Sequence, residues 1–155
     1  MTKFANKTQV SPEKSRAEIE KLLVKYGASS FMYGWENIHA VISFKMNSRL
    51  IRFVLPMPNP KDREFVFKQQ NSWCEMKEAE KRERLEQAKR QRWRALVLVV
   101  KAKLECVESG ITTFENEFMA HIVLPDGSTV GKFMAPQIER AYENGKMPLL
   151  LGEAP

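Results

Sequence analysis

The chain has 155 residues, of which 43% are hydrophobic and 28% charged, with 25 Lys and Arg against 19 Asp and Glu for a formal net charge of +6. This length fits one domain with short tails, and this apolar share is too high for a disordered chain. Two cysteines cannot staple a disulfide scaffold and fit a reducing compartment; the longest aliphatic run, Leu96 to Val100, is far short of the ~20 residues of a membrane span, and the opening MTKFANKTQV has no apolar signal-peptide core.

Residues 1–10 are polar and read as a loose arm, followed by one α+β domain over 11–155. Ser11-Pro12-Glu13 is a helix start: the serine hydroxyl can cap free N–H groups, and proline lacks only a donor that the first turn leaves unused. Ala17, Ile19, Leu22, Leu23 and Tyr26 follow a 3.6-residue spiral, and Gly27 ends it. A helix is expected over about 12–26.

Three strand-like segments come next, Ser30 to Glu36, Ile38 to Met46 and Arg49 to Leu55. Phe31, Tyr33 and Trp35 share one side of the first, and Ile38, Ala40, Ile42 and Phe44 alternate along the second. Asn47-Ser48 suits a tight turn, and Asn37 is placed in the preceding connection. An antiparallel meander is expected, with one covered and one wetter face. The prolines of Pro56-Met57-Pro58-Asn59-Pro60 end it by removing ladder donors. Residues 56–75 have no legible element and read as a loop.

The charged run KEAEKRERLEQAKRQRWR, Lys77 to Arg94, holds eight basic and four acidic residues and neither Gly nor Pro. With the apolar stretch up to Val107 it predicts one long helix over about 76–108, stopped by Gly110. Leu96 to Leu104 also fit a period of two, so a strand is the competing reading there. Beyond it, Thr112 or Thr113 can cap a short helix within 111–120. Ile122 to Leu124 and Ser128 to Phe133 flank the turn signal Pro125-Asp126-Gly127 and suggest a small hairpin. Pro136 would then open a last helix over about 135–144, and the apolar tail Met147 to Leu151 would pack on the body or on a partner.

The basic run is the leading functional feature. Lys81, Arg82, Arg84, Lys89, Arg90, Arg92 and Arg94 can face phosphates, and Trp93 can stack on an exposed base. Against this stand the pairs Glu78-Arg82, Glu80-Arg84 and Glu86-Arg90, which are spaced to neutralise one another on a solvated helix face. A second patch, Tyr33, Trp35, Lys45, Arg49 and Arg52, would combine aromatic and basic residues on the sheet, a surface that suits single strands. His39, His121, Cys74 and Cys106 are isolated and predict no metal site. Asp62, Glu75 and Lys77 match a metal-dependent nuclease only loosely, and Phe133 stands where a phosphate loop needs a hydroxyl. No GxGxxG, GxSxG or HExxH occurs, and no cofactor is expected.

The stretches YGASSFMYGWE, RLIRFVLPMP, RWRALVLVVKAKLECVESGITTFENEFMAHIVLPDGSTVG and the GKMPLLL tail resemble a group of small proteins encoded in bacteriophage and prophage genomes. The resemblance covers most of the chain from about Ala17 onward. It implies a cytoplasmic setting in an infected bacterium and brings in DNA transactions and host-defence interference; it carries over no catalytic residue. The order helix, three strands, long helix is shared with double-stranded RNA-binding domains and, loosely, with phage annealing proteins, by topology alone. The leading expectation is a non-enzymatic nucleic-acid-binding accessory protein, with single-stranded DNA foremost. The alternative is an inhibitor of a host nucleic-acid-handling or defence complex, its basic helix docked on an acidic protein surface. A nuclease ranks third, no membrane partner is expected, and self-association is left open.

Overall fold

The computed structural model describes residues 4–36, 38–69 and 73–146. Helix α1, Pro12–Lys25, begins as its sequence dictates: the Ser11 hydroxyl accepts from the Lys14 amide and Pro12 occupies the first turn. Strands β1 (Ser30–Glu36), β2 (His39–Met46) and β3 (Arg49–Pro56) form an antiparallel sheet in the order β1-β2-β3. Asn47 and Ser48 both have positive φ, 49° and 60°, the backbone that a two-residue turn between right-twisted strands requires. Asn37 lies outside the described residues.

Register sorts the side chains. Phe31 faces Phe44, Tyr33 faces Ile42 and Trp35 faces Ala40, while Phe44, Ile42 and Ala40 pair in turn with Ile51, Phe53 and Leu55. This inner face meets Ile19 and Leu23 of α1 and the buried side of helix α3, Glu78–Glu108, which contributes Trp93, Leu96, Val97, Val100 and Leu104. The stretch 96–104 is thus helical. No turn separates it from the charged run, so the helix propagates through its β-branched residues and buries them against the sheet. Fully buried rings such as Phe44 and Phe118 each contribute about 1.5–3 kcal/mol of apolar transfer.

The segment read as a loop has structure. Helix α2 (Arg63–Val66) leads into a two-stranded ribbon, β4 (Phe67–Gln69) with β5 (Trp73–Glu75). It is anchored by buried Phe65 and Met76 and by Lys68 Nζ on Glu80 of α3 at 2.9 Å. Such short strands give too few alternations for the period to show. Residues 4–10, expected as a loose arm, run beside α3: Gln87 Nε2 donates to the Asn6 and Thr8 carbonyls, and Gln91 Nε2 to the Phe4 carbonyl.

After α3, the Thr113 hydroxyl caps helix α4 (Phe114–Phe118), which runs into a 3-10 turn, Met119–His121. The C-terminal hairpin is corrected: Val123 and Thr129 form an isolated bridge around Pro125-Asp126-Gly127, but helix α5 already begins at Val130. The Thr129 hydroxyl accepts from the Lys132 amide, so this cap starts the helix earlier than Pro136, which sits inside it. Gly131 lets α5 approach closely, since a Cβ there would lie 2.8 Å from the Ala120 carbonyl oxygen. The tail from Met147 lies outside the described residues. Among the described residues no helix is long and apolar enough to cross a membrane.

Candidate functional site

The basic run of α3 is largely occupied by its own neighbours. Lys81 holds Glu75 at 2.6 Å and Glu78 at 2.8 Å, which raises the Lys81 pKa, first through its bond to Glu75, and lowers that of Glu78. Lys89 pairs with Glu86 at 2.7 Å and Arg84 with Glu80 at 3.7 Å. Arg90 donates from Nε and Nη2 to Gln87 Oε1. Arg92 donates to the Pro56 carbonyl and Arg94 to Glu18 of α1, so both tie α3 to the body. Of the seven cations singled out, Arg82 alone makes no hydrogen bond or ion pair among the described residues, and it is exposed. Two of the three expected i,i+4 pairs are replaced by i,i+3 pairs, because Lys81 and Lys89 reach the same carboxylates first.

Trp93 is a correction. It is 3% exposed and belongs to the core, its ring against Tyr33 at 5.8 Å, and it offers no face to a base. The helical period explains this: Trp93 lies three and four residues before Leu96 and Val97 and shares their buried stripe. The sheet patch is also divided. Tyr33 and Trp35 lie on the inner face, whereas Lys45 and Arg52 alternate to the outer face. Arg52 Nη1 donates to the Gly127 carbonyl at 2.8 Å and so holds the C-terminal turn. Arg49 is exposed beside the β2–β3 turn. A sheet side-chain period of two keeps Lys45 and Arg52 apart from the aromatic set, whereas Arg49, opposite Met46, shares the inner parity at the far end of the sheet.

Asp62 precedes α2, and Glu75 is held by Lys81. Among the described residues no three His, Cys, Asp or Glu side chains gather as a metal would need. His121 instead stacks on Phe53, with ring centroids 4.0 Å apart. Burial there lowers its pKa first, and nearby Lys103 adds to the effect.

A different site is open. Tyr33, Trp35, Ile38, Met57, Pro58, Pro60 and Leu85 line a cleft of about 410 Å³ between the start of α1, the β1–β2 end of the sheet, the proline segment and α3. Trp35 is 74% exposed at its mouth. The Arg16 guanidinium lies 4.2 Å above the Tyr33 ring and is paired with Glu13. Glu13, Glu86, Lys89 and His39 are the ionisable groups of the wall, two carboxylates against one lysine and one histidine, so the cleft has no cationic excess. Three prolines in five residues read in the sequence as the end of the sheet rather than as the wall of a cleft, and Leu85, inside the charged run, carries no signal of its own.

Comparison with protein-family models, with curated proteins and with solved structures finds no match to this chain.

Proposed function

We propose that the chain is a non-enzymatic binding protein, and that it holds an apolar extended segment of a partner protein in the cleft beside β1. The observation that carries this reading is Trp35, a large ring left 74% exposed over an apolar, proline-lined wall. Exposed aromatic anchors beside grooves are where binding energy concentrates, and aromatic walls suit extended, proline-bearing segments. With two carboxylates and one ammonium on its wall, the cleft favours an uncharged segment over a polyanion. The phage or prophage setting, and a host nucleic-acid-handling or defence complex as the partner, are proposed on the resemblance of the sequence alone.

The test is an array of proline-containing apolar peptides probed with the purified chain and with Trp35→Ala. This substitution leaves the core intact because the ring is outside it. Retention of peptides by the wild type, with at least ~10-fold loss in Trp35→Ala, supports the reading. Equal retention by both proteins, or none by either, overturns it.

A second reading, binding of single-stranded nucleic acid, is favoured by one observation: Arg82 and Arg84 are exposed on α3 in a chain of net charge +6. Phosphate contacts release counterions, so affinity would fall steeply with salt. Anisotropy of labelled oligonucleotides at two salt concentrations, with Arg82→Ala and Arg84→Ala together, measures this. Absence of binding at low salt ends this reading.

A further inference from the structure

We infer that the outer edge of β1 is a self-complementary surface that pairs with β1 of a second copy of this chain. The sheet has two edges. That of β3 is partly closed, since the Val123 amide donates to the Leu50 carbonyl at 2.8 Å and Ile51 bridges Ile122. Strand β1, Ser30–Glu36, pairs only with β2, and its other side makes no backbone hydrogen bond among the described residues. Natural edges are usually blocked by lysine, proline or a bulge. The sequence of β1, SFMYGWE, has neither lysine nor proline, and its register with β2 runs unbroken from Ser30 to Glu36.

The occupant is identified by the strand's own palindromic chemistry. In an antiparallel pair centred on Tyr33, Phe31 falls opposite Trp35 of the second copy, and Tyr33 opposite Tyr33. Met32 falls opposite Gly34, and Ser30 opposite Glu36. All three aromatic positions then lie on one face, where cross-strand aromatic pairs stabilise a sheet. On the other face the long methionine meets a glycine, and no like charges oppose. Gly34 has open space where a Cβ would be and no positive φ, so the fold of one copy does not require glycine there; the partner methionine does. Two sheets joined this way make one six-stranded sheet across a two-fold axis.

The contact is modest. Trp35, Met32 and Tyr33 are 74%, 55% and 39% exposed, which leaves at most about 400 Å² of side-chain surface per copy. Across both copies that is about 800 Å², smaller than a standard interface, so the pair is a weak one that forms at high protein concentration. The pairing does not depend on the partner reading of the cleft, and a peptide array and a mass measurement fail separately.

The experiment is sedimentation velocity of the full chain from about 5 to about 200 µM. The wild type is expected to shift from monomer to dimer. Gly34→Val, which suits a strand and whose Cβ meets no atom of its own copy within 4 Å, should keep the monomer folded by circular dichroism and raise the dissociation constant at least ~10-fold. Met32→Lys, a charge placed on the edge, should do the same. Val54→Lys, on the outer face of β3 and 53% exposed, should leave the dimer unchanged. A wild type that stays monomeric throughout overturns the inference. So does a dimer indifferent to both edge substitutions, or one lost equally in Val54→Lys.

Discussion

The rings of Tyr33 and Trp93 meet with centroids 5.8 Å apart and planes tilted by 58°, joining the edge strand to the long helix. Tilted aromatic pairs add about 0.5–1.5 kcal/mol to their burial. Trp93→Ala should therefore destabilise the fold by about 3–5 kcal/mol, as for other buried rings, and Trp93→Phe by much less. Urea denaturation followed by circular dichroism measures both. A stable Trp93→Ala protein would contradict the core assignment.

His121 predicts a pH dependence. Its folded pKa lies below the ordinary 6.5, chiefly because burial against Phe53 disfavours the imidazolium. The unfolded chain then binds more protons than the folded one between the two values. Stability is therefore full above about pH 6.5 and falls as pH drops from there through the depressed folded value. His121→Phe keeps a ring against Phe53 and removes the titration, so its stability should vary less between pH 7.5 and 5. An identical slope in both proteins would remove His121 as the cause.

Ser15 is 0% exposed on α1, and its Oγ has no hydrogen-bond partner among the described residues. A buried unpaired hydroxyl opposes folding, and alanine is also the better helix former. Ser15→Ala should raise stability by about 1 kcal/mol, read as a higher urea midpoint at unchanged m-value. A lowered midpoint would mean that the hydroxyl has a partner in solution.

Two lysine pairs of similar length should differ in worth. Lys103 Nζ bridges the Glu117 carboxylate at 2.9 Å and the Glu117 carbonyl at 2.8 Å, with both side chains mostly covered. It thereby fastens α4 to α3. Lys89 and Glu86 form a more exposed pair within one helix. Lys103→Ala should cost about 1–2 kcal/mol, and Lys89→Ala within about 0.5 kcal/mol. Thermal and urea melts of the two variants, run side by side, decide it; equal losses would refute the ranking.

The regular elements were legible where local rules and the core agree. Ser11 and Pro12 start α1, Asn47-Ser48 turns β2 into β3, and Thr113 caps α4, each by chemistry that acts within three or four residues. Phe65 and Met76 are buried where α2 packs on α3, a contact between separate elements that no local period announces. The functional reading was weaker for the same reason. A run of cations shows in the sequence, but the carbonyl of Pro56 and the carboxylate of Glu18 that engage Arg92 and Arg94 are distant along the chain. The parity of the strands was visible, yet separating Trp35 from Arg52 required knowing the register between β1, β2 and β3.

Helix α3 spans 31 residues, about 46 Å, and all its buried side chains fall between Trp93 and Leu104. Its first half is held by ion pairs and glutamine bonds, its second by the core. One continuous helix thus contains two levels of opening cost. Amides from Glu83 to Ala88 should exchange with solvent through brief local opening, while those near Val97 and Val100 should exchange only when the whole domain unfolds. Brief trypsin treatment should accordingly cut first after Arg82 or Arg84 and spare Lys101, so a single rod reports, along its length, where the domain begins to be cooperative.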